Sequence, residues 1–195
     1  MLNWETWSED NVVDRVILTE NVDMQGSYCC MLSSSDVVNN AWQKAVVANT
    51  DMTALTNFKI RAKVRKDTNS GNLYLFGRAN KNNNSAYILE LKDSFRFYKG
   101  TLGENFEGVP LVTSALPFSK NVTYNVELLF HTGIDNKTFV QVRCAENTDV
   151  LIWQHVFSVI ISNENLTSGY FGFGCGTYHR RENYYFDYFQ VYLEY

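Results

Sequence analysis

The chain has 195 residues, of which 45% are hydrophobic, 15% aromatic and 19% charged. That length suits one all-β sandwich domain, and folding it buries roughly 70% of the unfolded chain's surface, so stability requires neither metal nor disulfide. The composition excludes a disordered chain, the net charge of −4 gives nucleic-acid binding no electrostatic support, and no apolar run approaches the ~20 residues that would insert in a membrane.

The start, Met1-Leu2-Asn3-Trp4-Glu5, carries neither the basic segment nor the apolar core of a secretion signal. Two strands are predicted to open the fold, Val12 to Leu18 and Tyr28 to Leu32, with Gly26 between them and Trp4 and Trp7 closing one end of the core. Asp36 to Lys44 reads as a short helical turn or loop strand anchored by Trp42. Phe58 to Arg65 carries the clearest signal: Phe58, Ile60, Ala62 and Val64 alternate with Lys59, Arg61, Lys63 and Arg65, so one face is buried and one is wet. After the turn at Asp67 to Gly71 comes a strand from Asn72 to Ala79. Ala86 to Leu91 and Phe95 to Lys99 then form a hairpin. Residues 100–120 read as a long loop with weak strand character at Leu111 to Thr113. Thr123 to His131 and Lys137 to Cys144 form a second hairpin, and Val150 to Val159 a further strand. Gly169 to Gly176 is a glycine-laced strand in which small residues permit close backbone approach. Tyr184 to Tyr195 is the closing strand. It is so rich in aromatic and β-branched residues that it belongs in the middle of a sheet or under cover.

About ten short strands, turn signals roughly every ten residues and no long amphipathic helix specify a two-sheet antiparallel sandwich over residues 1–195, with no domain boundary. The ordered motifs "FKIRAKVR", "GNLYLFGRA", "SAYILEL", "VTYNVELLF", "GYFGFG" and "FDYFQVY" resemble the concanavalin A-like jelly roll of legume lectins, laminin G modules, carbohydrate-binding modules and some glycoside hydrolases. The likeness runs from Phe58 to the end of the chain. The last motif is similar to the closing strand of bacterial laminarinases and lichenases. The hydrolase branch implied by this resemblance carries a Glu-x-Asp-x-x-Glu strand, whose two carboxylates stand about 5 Å apart for a retaining mechanism. The matching strand here offers Glu90 alone, with Tyr87 and Leu89 where carboxylates are required. The same resemblance implies that Asp187 takes the place of a ligand to one structural Ca2+, completed by backbone carbonyls; the alternative is an Asp capping a strand edge or paired with an arginine.

For sugar recognition, an aromatic ring covers the apolar C–H face while Arg or Glu holds hydroxyls. Alternation places Tyr74, Phe76 and Arg78 on one face of their strand and Arg96 and Tyr98 on one face of theirs, so Tyr74, Arg78, Glu90, Arg96 and Tyr98 are candidates to line a groove. Trp153, sharing a face with His155, is a sugar platform if outside and packing if inside. Tyr178 and His179 lie in the polar loop before the closing strand, where binding residues often sit. The basic row Lys59, Arg61, Lys63 and Arg65 is either a solvated sheet face or a contact for an acidic glycan. Cys29, Cys30, Cys144 and Cys175 have no CxxC spacing and are expected as reduced thiols. The three histidines share no ligand spacing.

The expectation is therefore a non-enzymatic carbohydrate-binding module for a glycan or cell-wall polysaccharide. Its setting is extracellular or on a virion surface. One alternative is a bacteriophage tail or neck component that adheres to its host, with other virion proteins as partners. Another is a glycoside hydrolase or lyase with atypical carboxylates, such as Glu90 with Glu127.

Overall fold

A computed structural model describes residues 3–8, 16–20, 28–33 and 42–49 as backbone strands, and residues 55–67, 71–80, 82–83, 85–102, 109–162, 166–177 and 183–194 more fully. Fourteen strands run through the described residues: Asn3–Ser8 (β1), Val16–Glu20 (β2), Tyr28–Ser33 (β3), Trp42–Asn49 (β4), Phe58–Lys66 (β5), Asn72–Ala79 (β6), Ser85–Leu91 (β7), Ser94–Thr101 (β8), Val112–Pro117 (β9), Tyr124–Thr132 (β10), Thr138–Glu146 (β11), Gln154–Ile161 (β12), Tyr170–Thr177 (β13) and Asn183–Leu193 (β14). They form two seven-stranded sheets. Sheet A has the order β1-β4-β13-β6-β7-β8-β9 and sheet B the order β12-β11-β10-β5-β14-β3-β2. No helix among the described residues is long and apolar enough to cross a membrane.

The inner rows follow from the period-two pattern. Phe58, Ile60, Ala62 and Val64 of β5 are fully buried, beside Val126, Leu128 and Phe130 of β10 and Val140 and Val142 of β11. Sheet A contributes Leu73 and Leu75, Tyr87, Leu89 and Leu91, Phe95 and Phe97, and Phe171 and Phe173 to the same core. Rings hold the two layers together: Tyr87 of sheet A meets Phe130 of sheet B at 6.1 Å, and Phe173 meets Phe186 at 4.4 Å. Such pairs add about 0.5–1.5 kcal/mol each beyond the area they bury.

β14 lies inside sheet B, between β5 and β3, as its composition demands. β13 is equally central in sheet A. Its outward positions, Gly172, Gly174 and Gly176, stand opposite Phe76, Tyr74 and Asn72 of β6. The Tyr74 ring crosses toward β13, and its hydroxyl donates to the Cys175 carbonyl at 2.7 Å.

Several expectations need correction. The stretch at 100–120 contains a true edge strand, β9, ended by Pro117, whose missing N–H does no harm there. Of the two readings for Asp36 to Lys44 the strand holds where the chain is described, since Trp42 begins β4; residues 36–41 lie outside the described residues, and Trp4 and Trp7 sit in the edge strand β1. The strand expected from Val150 starts only at Gln154.

Arg78 departs most from the alternation rule. Between Tyr170 and Gly172 the pairing of β13 with β6 slips, and Arg78 takes φ of 53°. The bulge turns its side chain inward, away from Tyr74 and Phe76. It is fully buried, with its guanidinium 5.4 Å from the centre of the Phe130 ring. Nη1 donates to Thr138 Oγ1 at 2.6 Å and Nη2 to Thr132 Oγ1 at 2.6 Å and the Thr56 carbonyl at 2.8 Å. Arg78 therefore ties sheet A to sheet B and leaves the set of surface ligands.

Candidate functional site

The outer faces of the two sheets carry two different clusters. On sheet A, β6, β7 and β8 run side by side, so Tyr74, Glu90 and Arg96 fall in cross-strand register. Asn72 Nδ2 donates to Glu90 Oε1 at 2.6 Å, and the Tyr98 hydroxyl lies 3.3 Å from Glu90 Oε2. Arg96 reaches Glu90 at 3.8 Å and donates to Asp93 at 2.8 Å. Burial pushes the Glu90 carboxyl above its ordinary range, against the positive charge of Arg96 and Lys92 and the hydrogen bond from Tyr98. Burial, followed by the negative charge of Glu90, raises the Tyr98 hydroxyl in turn.

Four predicted residues, Tyr74, Glu90, Arg96 and Tyr98, thus meet on one face. That face, however, is largely withdrawn from solvent. Tyr74 is fully covered, and Glu90 and Tyr98 are only 5% and 8% exposed. A ring with no free surface cannot stack on a sugar, so Tyr74 is a packing residue. Only Arg96 presents an appreciable part of its side chain to solvent.

Sheet B is built differently. In register across it stand Gln190 of β14, Arg61 of β5, Glu127 of β10, Arg143 of β11 and His155 of β12. A row one residue wide over five strands spans roughly 19 Å at the usual interstrand spacing. Glu127 is buried between the two guanidinium groups. Arg61 Nε donates to its Oε1 at 2.9 Å and Arg61 Nη2 bonds the same oxygen. Arg143 stands off at 3.7 Å. The hydrogen bond that Arg61 donates to Glu127 raises its guanidinium above the ordinary value, against the opposing effect of burial.

Aromatic rings flank this row. Trp153 comes in from the start of β12 and lies against both guanidinium groups, 5.3 Å from Arg61 and 5.4 Å from Arg143. Its ring therefore lies on the outer face of sheet B and not in the core. Tyr192 lies 5.6 Å from Arg61 and 5.2 Å from the Lys59 ammonium. Tyr188 is close enough to act on the charge of Arg61, after Glu127 and Tyr192. It is 47% exposed and held at φ of 55° by the bulge between Asp187 and Gln190. Left-handed backbone at a bulky residue costs on the order of 1–3 kcal/mol, and such strain gathers at functional sites.

Tyr178 and His179 lie outside the described residues. Arg143, Tyr188 and Tyr192 escaped the sequence reading. The alternation of Gln141 and Arg143 with Val140 and Val142 marks Arg143 as outward, and Asp187-Tyr188-Phe189 breaks the alternation of the closing strand. Glu90 and Glu127 cannot act as a carboxylate pair: they point outward from opposite sheets, whose planes alone lie about 10 Å apart.

Asp187 Oδ1 accepts the Tyr188 N–H at 2.7 Å, while Oδ2 is buried with no hydrogen-bond partner. Lys63 is its cross-strand neighbour on β5. No group of three or more His, Cys, Asp or Glu able to hold a metal exists among the described residues. An orphaned carboxylate oxygen fits a calcium whose remaining ligands are backbone carbonyls and water.

No protein-family model matches the chain, and no curated protein sequence matches it. Solved structures do. The marine PL-14 alginate lyase from Aplysia kurodai superposes with a TM-score of 0.63 at 11% identity, over 97% of this chain and 89% of that one. The carbohydrate binding module CBM66 from Bacillus subtilis gives 0.53 at 12% identity, over 98% and 96%. The Lotus tetragonolobus seed lectin gives 0.58 at 8% identity, over 98% and 94%. At such identities the likeness establishes the fold, a concanavalin A-like jelly-roll β-sandwich.

Proposed function

We propose that this protein is a non-catalytic carbohydrate-binding module that holds its glycan on the outer face of sheet B. The observation that carries the reading is the grouping of Trp153, Tyr188 and Tyr192 around Arg61, on an exposed face with hydrogen-bonding side chains in a row. Rings cover the apolar faces of sugars, and Gln190, Arg143 and His155 supply donors and acceptors for hydroxyls. Two of the similar solved structures are, by their names, a carbohydrate-binding module and a seed lectin. Binding to an immobilised panel of cell-wall and algal polysaccharides tests it. Trp153→Ala and Tyr192→Ala should each weaken binding by on the order of 2 kcal/mol while leaving the melting temperature nearly unchanged. Retention of one polysaccharide by both variants at full affinity would remove the reading.

A narrower form, attachment of a bacteriophage tail or neck to host-wall saccharide, draws on the buried free thiols Cys144 and Cys175, which call for no oxidising compartment. Finding the chain in purified particles would support it, and its absence from them would count against it.

We also propose one structural Ca2+ at Asp187. Adding the ion should raise the melting temperature, a chelator should reverse this, and Asp187→Asn should abolish both effects. If Asp187 only balances the charge of Lys63, calcium will have no effect on the wild type.

A further inference from the structure

The two guanidinium groups on sheet B are not equivalent. Arg61 is occupied: two of its nitrogens bond Glu127 Oε1, and the rings of Trp153 and Tyr192 lie against it. Arg143 keeps a 3.7 Å ion pair and the Trp153 ring, and among the described residues it makes no hydrogen bond. Its side chain is 43% exposed. The indole lies beside the guanidinium, and a loose ion pair on a side chain this exposed leaves N–H donors for a further acceptor. A guanidinium fork matches a carboxylate in two parallel hydrogen bonds, a geometry that an ammonium cannot offer. The charge count agrees, since Arg61 and Arg143 share the one carboxylate of Glu127 and leave a positive charge in excess.

We infer that the ligand of this face is an acidic glycan, a polymer of uronate sugars, in which a sugar carboxylate takes the open fork of Arg143 while sugar rings lie along Trp153 and Tyr192. This rests on the glycan-binding reading above and adds the ligand's charge and the residue that reads it. Glu127 stays with Arg61 when the ligand arrives, so the incoming carboxylate displaces only water and the weaker ion pair.

The test is calorimetric titration of the whole chain with polygalacturonate, polymannuronate and hyaluronate, each beside its fully methyl-esterified form, and with a neutral β-glucan. At least one uronate polymer should bind, about tenfold or more tighter than its own ester, because the charge-assisted pair is lost with the charge. Raising the salt should weaken that binding and leave any residual binding of the ester unchanged. Arg143→Ala should lose the preference for the acid form. Arg143→Lys should recover only part of it, which separates a fork from a bare charge. Circular dichroism of both variants, whose substituted side chain is half exposed, checks that they fold. Equal binding of acid and ester, or a preference that survives Arg143→Ala, overturns the acidic class and leaves the glycan-binding face in place. Binding to the neutral glucan alone does the same. Binding to no polymer at all overturns both.

Discussion

Glu90 shows how burial makes one side chain report on pH. The folded chain holds its proton more tightly than the unfolded chain does, chiefly through burial. Between the ordinary carboxyl value and the raised one, the folded state therefore binds more protons, and stability falls as pH rises through that window. The contribution is complete below the unfolded value and gone above the folded one. Glu90→Gln cannot ionise, so this part of the pH dependence should vanish from it. Urea midpoints between about pH 4 and pH 7 check this, and the two curves should diverge as the wild type loses its proton. Arg78, also buried, is tied to uncharged oxygens of sheet B and of the segment leading into it, and the left-handed backbone beneath it is sustained by those bonds.

Among elements, β6 is the most constrained. An added methyl at Gly77 would stand 2.5 Å from Phe130 Cε2 and 2.9 Å from Phe58 Cζ, both inside the ring layer between the sheets. Neither ring can retreat, since Phe58 and Phe130 lie against each other at 5.2 Å and both are fully buried. Gly77→Ala should cost on the order of 1–3 kcal/mol, read as a lower unfolding midpoint with an unchanged m value. β5, β6, β7, β8, β10 and β11 were legible almost to the residue, because apolar alternation and turn chemistry agreed along them. Alternation failed where the ladder itself slips. Two residues opposite one at Gly77 and Arg78 sent the arginine to the wrong face, and the bulge after Asp187 hid the presentation of Tyr188. β9 was masked because Pro110 and Pro117 bracket it and its inward positions are small or only half buried. Tyr74 could be placed on its face from sequence, but whether that face is open depends on what covers it, and parity carries no such information. For the same reason the sequence named Trp153 without deciding between core and surface, a choice made by where Arg61 and Arg143 lie.

At the scale of the molecule, the order of strands within sheet B sets a rule for synthesis. β14, the latest of the described strands to leave the ribosome, belongs between β5 and β3, which are made more than a hundred residues earlier. A nascent chain ending before Asn183 holds two bare strand edges with a gap in place of their common neighbour, and such edges recruit other chains. Closure of sheet B therefore waits for β14, and its long range makes it slow. A chain cut after Thr177 should be recovered as aggregate, while the full chain refolds from denaturant on a millisecond-to-second scale, as fractionation and stopped-flow fluorescence would show. The strand that completes sheet B also carries Tyr188 and Tyr192, so the face proposed to take a saccharide lacks two of its three rings until that strand is in place.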